Sequence, residues 1–453
     1  MIETVRKICD FIDASPTAFH AVDNIKSQLQ AFGATELDEK DEWRLEPGVP
    51  YFVRRGGSSL LAFRTGIQPL WQSGYALACA HTDSPALKIR GGDCIEQGGM
   101  LRVAVDVYGD AILSSWLDRP LALAGRVVFL ERDRLKTALY NSFRPVGVIP
   151  NLAIHLNREI NRGMEYNIHQ HLPVLVSITT LGAGGPEDAA GNTAADGLPG
   201  NWLTRFVARD LGLSPEDVYA LDLSFYDYEK AVIFGSSGGQ DGQNDGAIIN
   251  SSRLDDLAGC HAILEAFCAS RPAVHTQLAC FFDAEEIGSM TPQGANSNFL
   301  RDIIARLAVA DKEPAEGFYR ANAKSYCLSC DVAQAWNPAY PEKYDVATTP
   351  KLGSGVALKR NISQRYGTSS VTGAVFARAC ATAGIACQSY MVKADMQSGR
   401  TIGPMIAERL GVRTIDIGHP LLSMHSIRET IHAEDHLSMI KAIEKFFGEL
   451  PED

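Results

Sequence analysis

Several apolar runs of this chain are followed by histidines or carboxylates. A further carboxylate stands at the start of a predicted helix. These residues are His81, Asp83, Asp255, Glu285, Glu286, Asp331 and His425. Imidazole and carboxylate groups without clustered cysteines suit a divalent ion such as Zn, Mn or Co. A carboxylate has two oxygens, so it can also bridge two metals about 3.5–4 Å apart, as in two-metal hydrolases. These residue types together predict a metal-dependent hydrolytic site.

The spacing within two of these segments predicts different roles for neighbouring residues. Metal-bound histidines commonly donate their other ring N–H to a carboxylate, and Asp83 is the natural partner of His81. Glu285 and Glu286 are adjacent and point in different directions, so one can hold metal while the other acts as a general base. Taken singly, such residues are ordinary loop, turn or N-cap residues. Their joint occurrence favours the site.

The chain after residue 246 alternates predicted helices with predicted apolar strands. RLDDLAGCHAILEAFCAS has the composition of a helix, and TQLACFF and SYCLSC have the composition of buried strands. This alternation predicts an α/β fold with a doubly wound sheet. Ligands of such sheets bind beyond the carboxyl ends of the strands. The candidate residues are therefore expected to converge there.

The stretch from residue 92 to residue 232 has a different texture and is predicted to be β-rich. LRVAVDVYGDA and LALAGRVVFLERD alternate or run apolar, with turns between them. It contains a Gly- and Ala-rich loop at 182–200, and the glycine-rich run FGSSGGQDGQNDG follows as a predicted boundary. We predict one catalytic α/β domain made of residues 1–91 and 233–453, with a second domain inserted at 92–232.

Composition excludes several classes of protein. The 453 residues are 45% hydrophobic and 21% charged, which is typical of soluble globular proteins and not of disordered chains. The net charge is −12 and no basic cluster is visible, so a nucleic-acid partner is not expected. No run approaches the roughly 20 apolar residues of a membrane span, and no membrane partner is expected.

The cysteines and the amino terminus indicate a cytoplasmic protein. No secretory signal is visible at the start of the chain, and ten cysteines in this context favour a reducing compartment. Cys327 and Cys330 form a CxxC pair, but no second pair follows. We predict that they are residues of a buried strand and not a redox or zinc motif.

Longer segments around the candidate residues resemble a known family. AHTDSPALKIR, SSRLDDL, DAEEIGS, SCDVAQA and MHSIRE are similar to the motifs of aspartyl aminopeptidases, which are cytosolic two-zinc metallopeptidases. The resemblance extends along nearly the whole chain. It implies a zinc-peptidase-like doubly wound sheet, an inserted dimerisation domain, and a homo-oligomer that in this family is a tetrahedral dodecamer.

The resemblance also implies a role for each candidate residue. Asp255 would bridge two divalent ions, most simply Zn with Co or Mn as alternatives, and Glu285 would be the general base. The other implied metal ligands are His81, Glu286, Asp331 and His425. Glu285 would take a proton from a metal-activated water and return it to the leaving amine.

Two further positions match substrate residues of the family, and two positions depart from its pattern. Lys359 matches a lysine of the substrate pocket, where its ammonium group would pair with an acidic side chain. His155 matches a histidine that reaches the active site of a neighbouring subunit. Asp256 stands where the family usually has Asn, so either Asp255 or Asp256 could be drawn to the metal. Gln334 stands where the family has a histidine, which makes an acidic preference less secure.

The resulting hypothesis is an aminopeptidase that removes N-terminal residues, preferentially Asp or Glu, from peptides. Another two-metal amide hydrolase, such as a carboxypeptidase or a deacylase, would use much the same ligands and stays an alternative. A non-catalytic assembly protein that keeps the peptidase shell is a second alternative. It would be expected to lose one or more of the ligands or the base.

Overall fold

The computed structural model describes residues 2–178, 202–235, 247–310 and 314–450. The chain divides into two compact units. The larger one comprises Met1–Ser84, Ala231–Met424 and Arg428–Asp453, and the smaller one comprises Pro85–Lys230 and His425–Ile427. The loop at 182–200 and most of the glycine-rich run that we predicted as a boundary lie outside the described residues.

A nine-stranded sheet forms the centre of the larger unit, counted over the described residues. Its strands are β1 (Thr35–Glu36), β2 (Pro50–Arg55), β3 (Ser59–Arg64), β4 (Tyr75–His81), β13 (Thr276–Phe282), β14 (Tyr326–Cys330), β16 (Val356–Lys359), β17 (Cys387–Tyr390) and β18 (Arg413–Gly418). Their order across the sheet is β1-β2-β3-β13-β4-β14-β18-β16-β17. Strands distant in sequence are therefore neighbours in the sheet.

The four central strands β13, β4, β14 and β18 run parallel. Phe282 at the end of β13 is paired with His81 at the end of β4, so the carboxyl ends of these strands are level. Both strands are buried along their whole length. This explains their continuous apolar sequences, because helices cover both faces of a parallel sheet.

Helices cover both faces of the nine-stranded sheet. They are α1 (Ile2–Asp13), α2 (Ala18–Ala31), α3 (Leu70–Ser73), α6 (Leu254–Ala269), α7 (Phe299–Ala310), α8 (Gly317–Lys324), α9 (Ser370–Ala383), α10 (Gly403–Leu410) and α11 (Ala433–Gly448). The core on one face contains residues of α1, α2, α6, α9 and α11. The core on the other face contains residues of α3, α7, α8 and α10. This three-layer arrangement confirms the predicted doubly wound α/β fold.

The two cores divide the side chains of β14 between the faces of the sheet. Cys327 belongs to one core and Cys330 to the other, and both side chains are fully buried. The prediction that these cysteines are residues of a buried strand is confirmed. Since their thiols lie on opposite faces of the sheet, they cannot chelate one ion together.

Two small sheets lie beside the main one in the larger unit. β11 (Val232–Phe234), β12 (Ile248–Ser251) and β20 (Glu429–His432) form an antiparallel sheet. β15 (Ala333–Gln334) and β19 (Pro420–Leu421) form a short parallel pair. Through β20, the chain that follows His425 returns beside β12, which is separated from α6 by only two residues.

The smaller unit is built on an antiparallel sheet of six described strands in the order β8-β7-β10-β5-β6-β9. These strands are β5 (Ala86–Gln97), β6 (Met100–Tyr108), β7 (Leu121–Glu131), β8 (Arg134–Asn141), β9 (Val174–Ile178) and β10 (Val218–Asp227). The helices are α4 (Ile168–His171) and α5 (Trp202–Leu211). The unit has its own apolar core, which includes Trp116, Tyr140 and Phe225.

Among the described helices, none combines the length and the apolar character that crossing a bilayer requires.

Candidate metal centre

The carboxyl ends of three central strands bring the predicted residues of the larger unit together. His81 is the last residue of β4, and Asp331 directly follows β14. After β13 the chain passes through Ala284, which has a positive φ of 64°, into a short turn that starts with Glu285 and Glu286. This sharp change of direction keeps the two glutamates at the end of the sheet.

His81 is the common member of two groups of metal-binding side chains. One nitrogen or oxygen atom each from His81, Asp255 and Asp331 lies within 4.8 Å of the other two. Atoms of His81, Glu285 and Glu286 form a second such group. The Nε2 atom of His81 is 3.2 Å from Oδ1 of Asp255. The structure therefore gathers these five sequence-predicted residues in one place.

The donor set fits a divalent metal ion. His81 and Asp255 are only 1% and 3% exposed, so their charges are almost fully removed from water. Buried charges require paired charges or a metal, because transfer out of water is costly. Imidazole nitrogen and carboxylate oxygen are the ligands that Zn²⁺ accepts in catalytic sites.

Burial, hydrogen bonds and neighbouring charges all shift the pKa values of these groups. Burial alone would lower the pKa of His81, but hydrogen bonds with Asp255 and Asp83 outweigh it and raise this pKa well above its usual value. Burial raises the pKa of Glu285 to about 7, opposed by His81 and reinforced by Asp331. Burial also raises the pKa of Asp256 well above its usual range. This environment disfavours further negative charge and favours a cation.

Asp83 has a wider role than the sequence predicted. The ring Nδ1 of His81 lies 3.0 Å from the backbone carbonyl oxygen of Asp83 and 3.4 Å from its carboxylate. The same carboxylate accepts hydrogen bonds from the backbone N–H groups of Glu285 and Glu286, each at 3.1 Å. Asp83 therefore orients the imidazole and also fixes the turn that carries both glutamates.

The two adjacent aspartates at the start of α6 have different surroundings. Asp255 contributes an oxygen to the group with His81 and Asp331. The carboxylate of Asp256 instead accepts hydrogen bonds from the backbone N–H groups of His81 and Gly259, at 3.3 and 3.2 Å. A β-carbon on Gly259 would come within 2.3 Å of this carboxylate, so glycine is required there. Asp256 thus connects the end of β4 to the first turn of α6 through hydrogen bonds to both backbones.

Lys359 forms a buried ion pair with Asp331. Its Nζ is 3.2 Å from Oδ2 of Asp331, and Lys359 is 2% exposed at the end of β16. Burial alone would lower the pKa of Lys359, but Asp331, Tyr366 and Asp416 raise it above its usual value. The lysine therefore stays charged and partly neutralises the acidic group.

Three other sequence-predicted positions lie in the smaller unit or on β15. His425 belongs to the segment 425–427 of the smaller unit, where its Nδ1 is 3.0 Å from the carbonyl oxygen of Asp110. His155 also belongs to the smaller unit and lies in an exposed turn. Gln334 is an exposed residue of β15, three residues beyond Asp331.

Sequence reasoning did not identify two residues that touch the backbone of Asp255. The hydroxyl of Ser84 donates to the carbonyl oxygen of Asp255 at 2.7 Å. The carboxylate of Glu429 accepts from the N–H of Asp255 at 2.9 Å. Both lie in segments already singled out, since Ser84 follows Asp83 and Glu429 ends MHSIRE. Their partner is a backbone group, which no side-chain pattern reveals.

Comparison with known proteins gives matches along nearly the whole chain. A family model described as aminopeptidase I zinc metalloprotease (M18) matches residues 11–447. Probable M18 family aminopeptidase 2 of Clostridium novyi is 37% identical over 452 residues, covering 99% of both chains. The structure of mApe1 from Chaetomium thermophilum has a TM-score of 0.84 at 28% identity, covering 98% of this chain and 97% of that one. The S. cerevisiae mApe1 dodecamer has a TM-score of 0.82 at 27% identity, covering 98% and 96%.

Proposed function

The chain belongs to the aminopeptidase I zinc metalloprotease (M18) family and is a metal-dependent aminopeptidase, and on this premise we propose a narrower activity. It removes N-terminal residues, preferentially Asp or Glu, from peptides with the help of two divalent metal ions. The observation that carries this proposal is the buried group of one imidazole and several carboxylates at the ends of the central strands. Zinc is the ion that best suits this donor set.

Five side chains would hold the two ions. Asp255 would bridge them, and the other ligands would be His81, Glu286, Asp331 and His425. His425 is proposed as a ligand because MHSIRE resembles a motif of the family. Glu429 lies four residues further on, and its carboxylate is bonded to the backbone of Asp255. Four residues span at most about 14 Å, so the chain keeps His425 within that distance of Glu429.

Glu285 would act as general base and then as general acid. A divalent metal supplies Lewis acidity to the scissile carbonyl and makes water a better nucleophile. The Glu285 carboxylate would take the proton of the attacking water and later deliver it to the leaving amine. The backbone N–H groups of Glu285 and Glu286 donate to the Asp83 carboxylate, which holds the base beside its neighbouring ligand.

Lys359 would bind the acidic side chain of the substrate. It is a buried cation that contacts the proposed ligand Asp331, so a substrate carboxylate near the metals would meet a positive charge. Charge-assisted hydrogen bonds of this kind are about twice as strong as neutral ones. Gln334 cannot add a second positive charge. The acidic preference would therefore depend on Lys359.

We also propose that the protein assembles into a homo-oligomer, most simply a dodecamer, through the predicted dimerisation domain. The related S. cerevisiae mApe1 is a dodecamer. In the smaller unit, Leu152, Ile154 and Leu156 are 51%, 47% and 76% exposed, flanking His155. Neighbouring exposed apolar side chains are typical of a protein interface. His155 would then reach the site of an adjacent subunit.

A panel of peptides that differ only in their first residue tests the proposed activity. We expect zinc-loaded enzyme to release N-terminal Asp and Glu fastest. Release of a C-terminal residue or of an acyl group, without N-terminal cleavage, would instead identify the alternative amide hydrolase. No hydrolysis of any substrate would favour the non-catalytic assembly protein.

Glu285→Gln tests the assignment of the base with the same peptides. The variant should bind zinc as the wild type does, because Glu285 is not a proposed ligand. Its kcat should fall by about 10²–10⁴, the usual contribution of general acid–base catalysis. Near wild-type turnover on N-terminal Asp or Glu would show that another group is the base.

A further inference from the structure

The backbone of Asp255 is held by two side chains from different parts of the chain. Its N–H donates to Oε2 of Glu429 at 2.9 Å, and its carbonyl oxygen accepts from the hydroxyl of Ser84 at 2.7 Å. Asp255 and Glu429 are 3% and 2% exposed, so water is nearly excluded from these contacts. Both backbone polar groups of Asp255 are therefore satisfied by side chains.

The irregular start of α6 explains why such contacts are needed. Asp255 has φ −83° and ψ 105°, which is not a helical conformation. Its carboxylate direction is consequently not set by the helix. Buried backbone groups must find partners, and here the partners also fix the orientation of the residue.

We propose that Glu429 and Ser84 are positioning residues that aim the carboxylate of Asp255 at the metal site and so set the affinity for metal. This inference rests on the proposed function, in which Asp255 is the bridging ligand. Supporting residues of this kind typically change metal affinity or activity by about 10–100-fold when removed. Glu429 and Ser84 contact the backbone of Asp255, whereas His81 contacts its side chain.

The position of the two residues in the chain strengthens the inference. Ser84 comes three residues after His81, and Glu429 comes four residues after His425. Ser84 and Glu429 therefore each lie in a segment that supplies one of the two proposed imidazole ligands. Through them, the backbone of the bridging aspartate is tied to both segments.

The test measures zinc affinity of the full chain by competition with a chromophoric chelator. Glu429→Ala should weaken zinc binding by about 10–100-fold, and Ser84→Ala should weaken it in the same direction. Glu429→Gln keeps an oxygen that accepts from the Asp255 N–H, so its affinity should stay within about threefold of wild type. Asp435→Ala is the matched control, because Asp435 is a buried carboxylate that accepts from the N–H groups of Gly353 and Gly355.

Three results would overturn the inference. They are wild-type zinc affinity in both alanine variants, a loss in Glu429→Gln as large as in Glu429→Ala, or an equal loss in the Asp435 control. If Glu429→Ala does not fold, Ser84→Ala alone decides, since its half-buried hydroxyl is a smaller deletion. Asp255→Ala in the same assay tests the ligand role of Asp255 separately from the positioning role of Glu429 and Ser84. Undiminished zinc binding there would refute the ligand assignment itself.

Discussion

Lys359 is a buried cation, and its ion pair with Asp331 would link the proposed substrate pocket to the proposed metal site. The pair is 3.2 Å long and excluded from water. Removing one partner of a buried pair leaves an uncompensated charge, which costs about 3–5 kcal/mol. Replacing Lys359 should therefore affect the stability of the fold and, if the proposed role is right, the choice of substrate.

Lys359→Met should reduce the preference for acidic substrates. Methionine has a similar length without the charge, so the ratio of kcat/KM for N-terminal Asp over N-terminal Leu should fall by about 10–100-fold. Lys393→Met is the control, because the pair of Lys393 with Asp395 is exposed. An unchanged ratio in Lys359→Met would mean that another group recognises the acidic side chain.

The sequence identified residues whose side chains could bind metal or transfer protons. It did not identify the hydrogen bonds that side chains make with backbone groups. His81, Asp331 and the Glu285–Glu286 pair could be found because each follows a buried strand. The hydrogen bonds that the Asp83 carboxylate accepts from this pair join residues 202 and 203 positions apart, and the bond that Asp255 donates to Glu429 spans 174 positions. Such contacts depend on which strands are neighbours, which only the folded sheet determines.

Three buried histidines connect α6, α11 and the residue that follows β18. Nδ1 of His261 on α6 is 2.9 Å from Nε2 of His436 on α11, whose Nδ1 is 3.0 Å from Nε2 of His419. Burial lowers the pKa of His261 and of His419 to about 3, and lowers that of His436 well below its usual value. The three imidazoles are therefore neutral in the folded protein at neutral pH.

These histidines predict a loss of stability in acid. Their pKa values lie near 6.5 in the unfolded chain and below that in the folded one, so the unfolded chain binds more protons as the pH falls below 6.5. Their contribution is complete above pH 6.5 and is lost as the pH falls toward about 3. By themselves, these three histidines should consequently lower the melting temperature of metal-free protein between pH 7 and pH 5.

His261→Gln should make this drop smaller, because one of the titrating groups is removed. Both proteins are compared without metal, so that release of metal in acid does not contribute to the change in melting temperature. Equal pH dependence in the two proteins would show that the acid lability arises elsewhere.

At the scale of whole elements, the fold class followed from the alternation of helices and apolar strands. The central parallel strands are buried on both faces, which is why their sequences are continuously apolar. The unit boundaries are less visible in sequence. The compact units divide after Ser84 and after Lys230, whereas the composition changes near residues 92 and 232. The segment 425–427 is another such case, since three residues carry no compositional signal.

At the scale of the whole molecule, the proposed dodecamer can be tested through its mass. Twelve chains of 49.1 kDa would have a mass of about 590 kDa. Light scattering coupled to size-exclusion chromatography should find this mass, and Leu156→Asp should reduce it by placing charge on an exposed apolar residue. A wild-type protein that elutes as a monomer would contradict the proposed assembly.

His155→Ala separates assembly from catalysis. The variant should keep the mass of the wild type, because the loss of one exposed side chain removes little contact area. Its kcat should fall by about 10²-fold if the imidazole stabilises the oxyanion in a neighbouring subunit. Unchanged turnover in an intact assembly would remove His155 from the site.

The number of zinc ions bound per chain tests the dinuclear centre most directly. Elemental analysis of protein saturated with zinc and freed of excess metal should give two ions per chain. His81→Ala and Asp255→Ala should each fall below that number. A wild-type value of one ion per chain at saturation would contradict the account, because a single ion would leave no role for a bridging aspartate.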